Sequence, residues 1–342
     1  MADQAMLKSI LNWSLKQQDG TTSDDVKPMS EDRKKWLAEA LDSIVMNETK
    51  RIQDIVRILE YSPSSSSSSK VKEEDDDELL SKTLEKASKL ELVKMRENGL
   101  DELIDRLCQI DNAKYFSLNH GGKGKLPLLM EYMKHEHASL RWRAADVFAT
   151  VVQNNPEPQA RAIELGILNF IMNQFKSEKD IKVQTKLFYA LSSVLRGDKV
   201  NLSAFKSFTN AGGFTMLKSL ISKKTTVDNK KLCKKAMFFS LWIFNVMPAL
   251  RKEFADPNLV RSILTHANQS EDVDLSEKSL QVLLELVKGV KDDMKKMDFM
   301  VPAVDKIIAT FRDQKTKDKE DEMYITERLR VAVSIAVGLR KG

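Results

Sequence analysis

Apolar residues recur at helical spacing along almost the whole chain, and the interruptions between runs are short. Met6, Leu7, Ile10, Leu11 and Leu15, with Trp13 beside them, form a first apolar stripe that ends at Asp19-Gly20. Trp36, Leu37, Ala40, Leu41 and Ile44 form a second, opened by Ser30 as an N-cap with Glu31 and Asp32 in the first turn. Residues 1–62 are therefore predicted as an N-terminal segment of two short amphipathic helices. Pro63, the run Ser64 to Ser69 and the acidic cluster Glu73 to Glu78 offer nothing that packs a core, so residues 63–78 are predicted as a flexible linker. From residue 79 to residue 342 the helical pattern is nearly continuous.

Within that stretch the longer helical segments align with one another. RWRAADVFATVVQ (Arg141 to Gln153) overlies QTKLFYALSSVLR (Gln184 to Arg196) after 43 residues. CKKAMFFSLWIFN (Cys233 to Asn245) follows after 49 more, and SEKSLQVLLELVK (Ser276 to Lys288) after a further 43. Each block is preceded by an aliphatic residue: Leu140, Val183, Leu232 or Leu275. A weaker copy ends near Asp111-Asn112, and a degenerate one runs from Val301 to Leu339. A shorter helix precedes each block, opened by Gly166, Gly213 or Pro257-Asn258. One short and one long helix per repeat are visible at a period of the armadillo/HEAT class. Such units bury their apolar faces only by stacking, so residues 79–342 are expected to form an all-α, right-handed superhelical solenoid.

Not every face of the long helices is apolar. Positions 0, +4, +7 or +8 and +11 share one side of a helix. In the four blocks that side carries Trp142, Asp146, Thr150 and Gln153; Thr185, Tyr189, Ser193 and Arg196; Lys234, Phe238, Trp242 and Asn245; Glu277, Gln281, Glu285 and Lys288. Aromatic and polar rows that coincide in successive repeats are expected to line a partner-binding groove, with the aromatics and Arg196 as anchors.

Composition narrows the function. Twelve glycines and eight prolines are few for 342 residues and disfavour strand-rich folds. Fifty-five basic against fifty acidic residues leave +5 dispersed along the chain, too even for a nucleic-acid binder. The most apolar run, Ala236 to Leu250, is broken by Asn245 and Pro248, so no membrane span is expected. Cys108 and Cys233 both sit in apolar patterns and are expected to be buried thiols in a reducing compartment. The patch from His120 to Lys125 lacks the spacing and final Ser/Thr of a phosphate loop and is expected to be a turn. His135 and His137, two apart on an expected helix, diverge and have no third ligand. No catalytic constellation emerges, and neither an enzyme nor a cofactor site is expected.

Several of these stretches resemble one known family. ILNWSLKQQDGT (Ile10 to Thr21), PMSEDRKKWLAEAL (Pro28 to Leu41), LDELIDRLCQIDNAKYF (Leu100 to Phe116), LRWRAADVFATVVQNN (Leu140 to Asn155) and KLFYALSSVLRG (Lys186 to Gly197) occur in the order seen in the armadillo-type nucleotide exchange factors of 70-kDa heat-shock chaperones, the Hsp70-binding protein/Fes family. The similarity covers roughly residues 1–220 and fades beyond. It implies a co-chaperone; the lack of a targeting or membrane-spanning segment makes the cytosol the expected compartment, with the nucleus as a further one, and a monomer is expected because nothing in the sequence demands a dimer. Its groove would embrace lobe II of the chaperone's ATPase domain, favour the open cleft and so release ADP and then client. The resemblance places groove positions at Asn112 and Ala113, at Gln153 and Asn154, and at Arg196. It gives the N-terminal segment, with Leu11, Trp13 and Leu15, a client-release role at the chaperone's substrate-binding domain. Ala113→Arg and Arg196→Ala are expected to fold and to lose exchange. The alternative is an armadillo scaffold or adaptor holding another protein or a peptide in the same groove.

Overall fold

In the computed structural model the described residues are 30–63, 75–119, 124–197, 201–222, 229–269, 272–314 and 318–340. The first predicted helix, with Leu11, Trp13 and Leu15, lies outside them. All regular structure among the described residues is helical. The chain divides into two compact units, Met1–Ala87 and Ser88–Gly342.

The first unit holds α1 (Glu31–Glu60) and α2 (Asp75–Lys86). The sequence reading needs two corrections here. The second N-terminal helix runs 30 residues rather than being short, and Ser30 makes no side-chain cap bond. Among its described side chains, Ile52, Ile55, Val56 and Leu59 of the C-terminal half are buried at helical spacing, while Trp36 is 38% exposed. Residues Asp75 to Glu78, assigned to the linker, form the first turn of α2. The boundary between compact units accordingly falls after Ala87, not at residue 78.

The second unit opens with α3 (Lys89–Arg106), whose start is fixed by a capping box. Ser88 Oγ accepts from Glu91 N, and Glu91 accepts from Ser88 N at 2.7 Å. Next come α4 (Ile110–Lys114), a π-helical turn (Tyr115–Asn119), α5 (Leu126–Tyr132) and α6 (Ala138–Val152). Three further triplets follow. They are α7 (Pro156–Glu164), α8 (Ile167–Ser177) and α9 (Ile181–Leu195); α10 (Leu202–Asn210), α11 (Gly213–Ser222) and α12 (Lys230–Val246); and a 3₁₀ turn (Pro248–Phe254), α13 (Pro257–Ala267) and α14 (Val273–Gly289). The last is α15 (Lys291–Lys295), α16 (Met300–Asp313) and α17 (Lys319–Arg340).

The repeat unit is thus three helices, not the two visible in the pattern. The extra one is nine residues or fewer in each full triplet, too short for its period to stand out. Helices α6, α9, α12 and α14 begin at 138, 181, 230 and 273, which reproduces the 43-, 49- and 43-residue spacing of the sequence blocks. Each packs on the next, with α3 before the series and α17 after it. The equivalent aliphatic positions Leu140, Val183, Leu232 and Leu275 are all buried, as are Val151, Val194, Ile243 and Leu286. Polar caps set the starts: Asp180 accepts from Lys182 N and Val183 N, Asp256 from Leu259 N, and Asp272 from Leu275 N.

Aromatic rings tie the triplets together. Phe239 of α12 meets Phe188 of α9 and Phe208 of α10 edge-on at 5.9 Å, and Phe254 meets Phe244 at 5.0 Å and Phe214 at 6.0 Å. Gly124, in the segment read as a loose turn, has φ +69° and sits so close to the chain that a Cβ would lie 1.8 Å from the Ser117 carbonyl oxygen. Lys125 N closes this turn on Phe116 O at 2.8 Å. Only glycine fits there.

Candidate functional site

Side chains of the predicted row, together with cations beside them, touch from helix to helix across α6, α9, α12 and α14 and form a surface strip. On α6, Trp142 carries the Lys182 ammonium 3.3 Å from its ring centre and the Arg143 guanidinium at 4.3 Å. Asp146, one turn on, pairs with Lys186 of α9. Tyr189 of α9 donates its hydroxyl to Gln153 Oε1, at the C-cap of α6. Over the Tyr189 ring lie Lys235 of α12 at 4.8 Å and Lys186 at 6.0 Å. Arg196, the C-cap of α9, stacks on Phe238 of α12 at 4.8 Å, and Lys278 of α14 approaches the same ring at 5.9 Å. Each aromatic face is capped by cations, an arrangement worth about 0.5–1 kcal/mol per pair at a half-open site.

Electrostatics follow from this crowding. Burial, then the nearby Asp146 carboxylate, push the Tyr189 phenol up, so it stays a hydrogen-bond donor to Gln153. Burial, then Lys186, lower Lys235, and burial, then Arg143, lower Lys182. The outer cations are matched: Arg143 binds Asp101 at 2.8 Å and lies 3.6 Å from Glu97, and Lys278 binds Asp274 at 2.9 Å. Among the described residues no carboxylate lies within ion-pair distance of Lys182, Lys231, Lys235 or Arg196.

Phe238 is 45% exposed, Tyr189, Trp142, Asp146 and Arg196 are half-buried, and Gln153, Asn154, Asn245 and Lys288 are exposed. Asn154 takes φ +53°, a left-handed conformation that turns the chain from α6 into α7. Four positions differ from the sequence picture. Ser193 is 5% exposed; its carbonyl, like that of Arg196, accepts from Gln159 Nε2, so it supports the strip from beneath. Ala113 is 2% exposed and its carbonyl accepts from Ser117 Oγ, so it offers no open surface and Ala113→Arg would disturb the fold itself. Asn112 spends its amide on Arg106 O at 3.0 Å. Trp242 stacks on Phe239 at 5.5 Å and reaches Phe205 at 6.5 Å, which makes it the edge of the aromatic core rather than a free anchor.

Other candidates resolve differently. Cys233 is buried as expected, but Cys108 is exposed, its Sγ donating to Asp105 O where α3 has ended. His135 and His137 lie before α6 rather than on a helix, with rings stacked at 5.4 Å. No group of three metal-ligating side chains occurs among the described residues. None of their helices is long and apolar enough to cross a membrane.

The cations were the feature that the face analysis missed. Arg143, Lys186, Lys235 and Lys278 each occupy the third position of their aligned block, one residue past the face that was followed. Lys182 and Lys231 are likewise equivalent, two residues before their blocks. A position-by-position comparison of charge would have shown both columns.

Comparison with known proteins bears on both fold and family. A designed armadillo repeat protein superposes with a TM-score of 0.54 at 11% identity, covering 85% of this chain and 99% of that one. A chain of the SYS-1/POP-1 complex gives 0.57 at 11% identity, covering 78% and 47%. Both show the fold, an all-α armadillo solenoid. Hsp70-binding protein 1 of Rattus norvegicus is 27% identical over 195 residues, 56% of this chain and 48% of that protein. Hsp70 nucleotide exchange factor fes1 of Schizosaccharomyces pombe is 28% identical over 137 residues, 40% of this chain and 46% of that one. FES1 of Gibberella zeae is 26% identical over 206 residues, 60% and 83%. The chain thus spans about half the length of the first of these curated relatives. The model of the SIL1/FES1/HPBP1 C-terminal domain matches residues 112–237, from Asn112 to the start of the α12 contribution to the strip. The family read from the sequence is the one these comparisons support: residues 112–237 match the SIL1/FES1/HPBP1 C-terminal domain, and the curated relatives named above carry the same family's names.

Proposed function

We propose that this protein is a co-chaperone that binds the ATPase domain of a 70-kDa heat-shock chaperone through the strip on α6, α9, α12 and α14, and thereby promotes release of ADP and of client. The observation that carries this reading is a coincidence. The segment matching the family, residues 112–237, is the segment that holds Trp142, Asp146, Gln153, Tyr189, Arg196 and the unmatched lysines of α9 and α12. The relatives named Hsp70-binding protein 1 and Hsp70 nucleotide exchange factor supply the partner and the action.

The action needs no bond chemistry. A protein that holds lobe II in its open-cleft position shifts the chaperone's equilibrium by its preference for that state. Moving it from 1:99 to 99:1 takes about 5.5 kcal/mol of differential affinity. An interface of ordinary size, about 1,600 Å² in total, is sufficient. The N-terminal segment with Leu11, Trp13 and Leu15 is assigned to the chaperone's substrate-binding domain on the resemblance alone. The reading places a monomer in the cytosol, where Cys108 and Cys233 stay reduced.

Release of a fluorescent ADP analogue from a purified cytosolic chaperone tests the proposal. Acceleration by the full chain supports it. Binding without acceleration supports the scaffold reading, and an adaptor for basic peptides is disfavoured by the unmatched cations of the strip.

A further inference from the structure

Lysine and arginine cluster at the centre of the strip, and several of them have no acid within ion-pair distance among the described residues. Equivalent positions in the flanking repeats are neutralised: Arg143 by Asp101, and Lys278 by Asp274. In the two central repeats, Lys182 and Arg196 on α9, and Lys231 and Lys235 on α12, have no carboxylate within ion-pair distance among the described residues. Lys186 and Lys234 are exceptions, the first held by Asp146 and the second by Asp272 and Asp274. Lys235 is half-buried over Tyr189, and the neighbouring Lys186, Arg196 and Lys231 charges act against its own, partly offset by Asp146. A half-buried ammonium with cationic neighbours costs folding free energy, and such costs are characteristic of surfaces kept for a partner.

We infer that the centre of the strip, where α9 meets α12, receives Asp and Glu carboxylates from an acidic patch on the chaperone's ATPase domain. This rests on the function proposed above and adds the chemistry of the contact. Lys235 lies over Tyr189, Arg196 over Phe238 and Lys182 over the adjoining Trp142, with Lys231 one helical turn before Lys235, so carboxylates inserted there would meet this cluster while apolar side chains cover the exposed part of Phe238. Nucleic acid is the less suitable polyanion. Single strands bind by stacking bases on open aromatic faces, and the Trp142 face is occupied by Lys182 at 3.3 Å and the Tyr189 face by Lys235. The exposed ends of the charges also steer approach, so association, more than residence, should depend on salt.

The test compares the full chain with a Lys182→Gln/Lys231→Gln/Lys235→Gln variant and with a charge-matched control, Lys206→Gln/Lys306→Gln/Lys319→Gln. Binding to the ATPase domain is measured from about 50 mM to about 500 mM NaCl, over which screening shortens markedly. The strip variant should bind about tenfold more weakly at low salt, with a flattened salt dependence, and the control should match the parent. A Lys235→Arg variant, which keeps the charge, should bind within about twofold of the parent, and thermal melts establish that each variant folds. Docking that persists with unchanged affinity and salt slope in the strip variant overturns the inference while leaving the proposed function intact. If the parent does not bind the ATPase domain at all, the proposed function fails. The inference is then decided by a fluorescein-labelled Glu-rich peptide against its Gln counterpart. Preference for Glu, abolished in the strip variant, supports an acidic ligand; equal binding of both peptides, or tighter binding of a thymidine oligonucleotide, overturns it.

Discussion

Arg196 caps the C-terminal end of α9 and lays its guanidinium 4.8 Å from the centre of the Phe238 ring on the next long helix. Its side chain bridges two repeats at the surface, while its carbonyl accepts from Gln159 Nε2 beneath them. Because the carbonyl bond survives any side-chain change, Arg196→Ala should cost about 1 kcal/mol of stability or less. The same variant should bind the chaperone at least about tenfold more weakly, since a charge-assisted contact is worth roughly 1.5–3 kcal/mol. Urea denaturation and a binding titration on one preparation separate the two effects.

Gly124→Ala is expected to act on folding instead. A left-handed φ costs a Cβ-bearing residue roughly 1–2 kcal/mol, and here the Cβ would also strike the Ser117 carbonyl oxygen. The urea midpoint should fall by more than that backbone cost alone, with the turn after the π-helical segment displaced. A midpoint equal to that of the parent would show that the turn adopts another conformation in solution.

His266 supplies a pH dependence. It is buried on α13, and its Nε2–H donates to the Ile221 carbonyl at 2.8 Å, while Nδ1 has no partner among the described residues. Burial, only partly offset by that bond, holds its pKa below the ordinary value of 6.5. The unfolded chain therefore binds the proton more readily. Stability is complete above about pH 6.5 and declines as the pH falls towards the folded-state value. His135, lowered first by burial and then by His137, acts in the same direction. Urea midpoints at pH 7.5 and about pH 5.5 should differ less in His266→Gln than in the parent; an identical difference would remove His266 from the account.

The two thiols should differ in reactivity. Cys108 is exposed, whereas burial pushes the Cys233 thiol up to about 12. Titration of the native chain with a chromogenic disulfide should release one equivalent quickly and the second only on unfolding. Two fast equivalents would show that α12 opens in the native state.

These outcomes bear on what a sequence makes visible. The stack of long helices was legible because Leu140, Val183, Leu232 and Leu275 repeat the same buried environment at nearly constant spacing. The first helix of each triplet was not, since segments such as Pro156–Glu164 complete too few turns to show a period. At the surface strip, Trp142, Tyr189, Arg196 and Phe238 could be placed from helical geometry alone. Ser193 and Ala113 could not, because whether a small side chain is covered depends on the neighbouring helix rather than on its own. Cys108 was misplaced for a related reason: it follows the last residue of α3, where the helical period no longer says which way a side chain faces.

The central claim, that the long-helix strip opens a chaperone's nucleotide cleft, is tested most directly by stopped-flow release of a fluorescent ADP analogue with the parent chain and with Arg196→Ala. The expected result is strong acceleration by the parent and an effect about tenfold smaller with the variant at equal concentration. No acceleration by the parent, or equal acceleration by both, would contradict it.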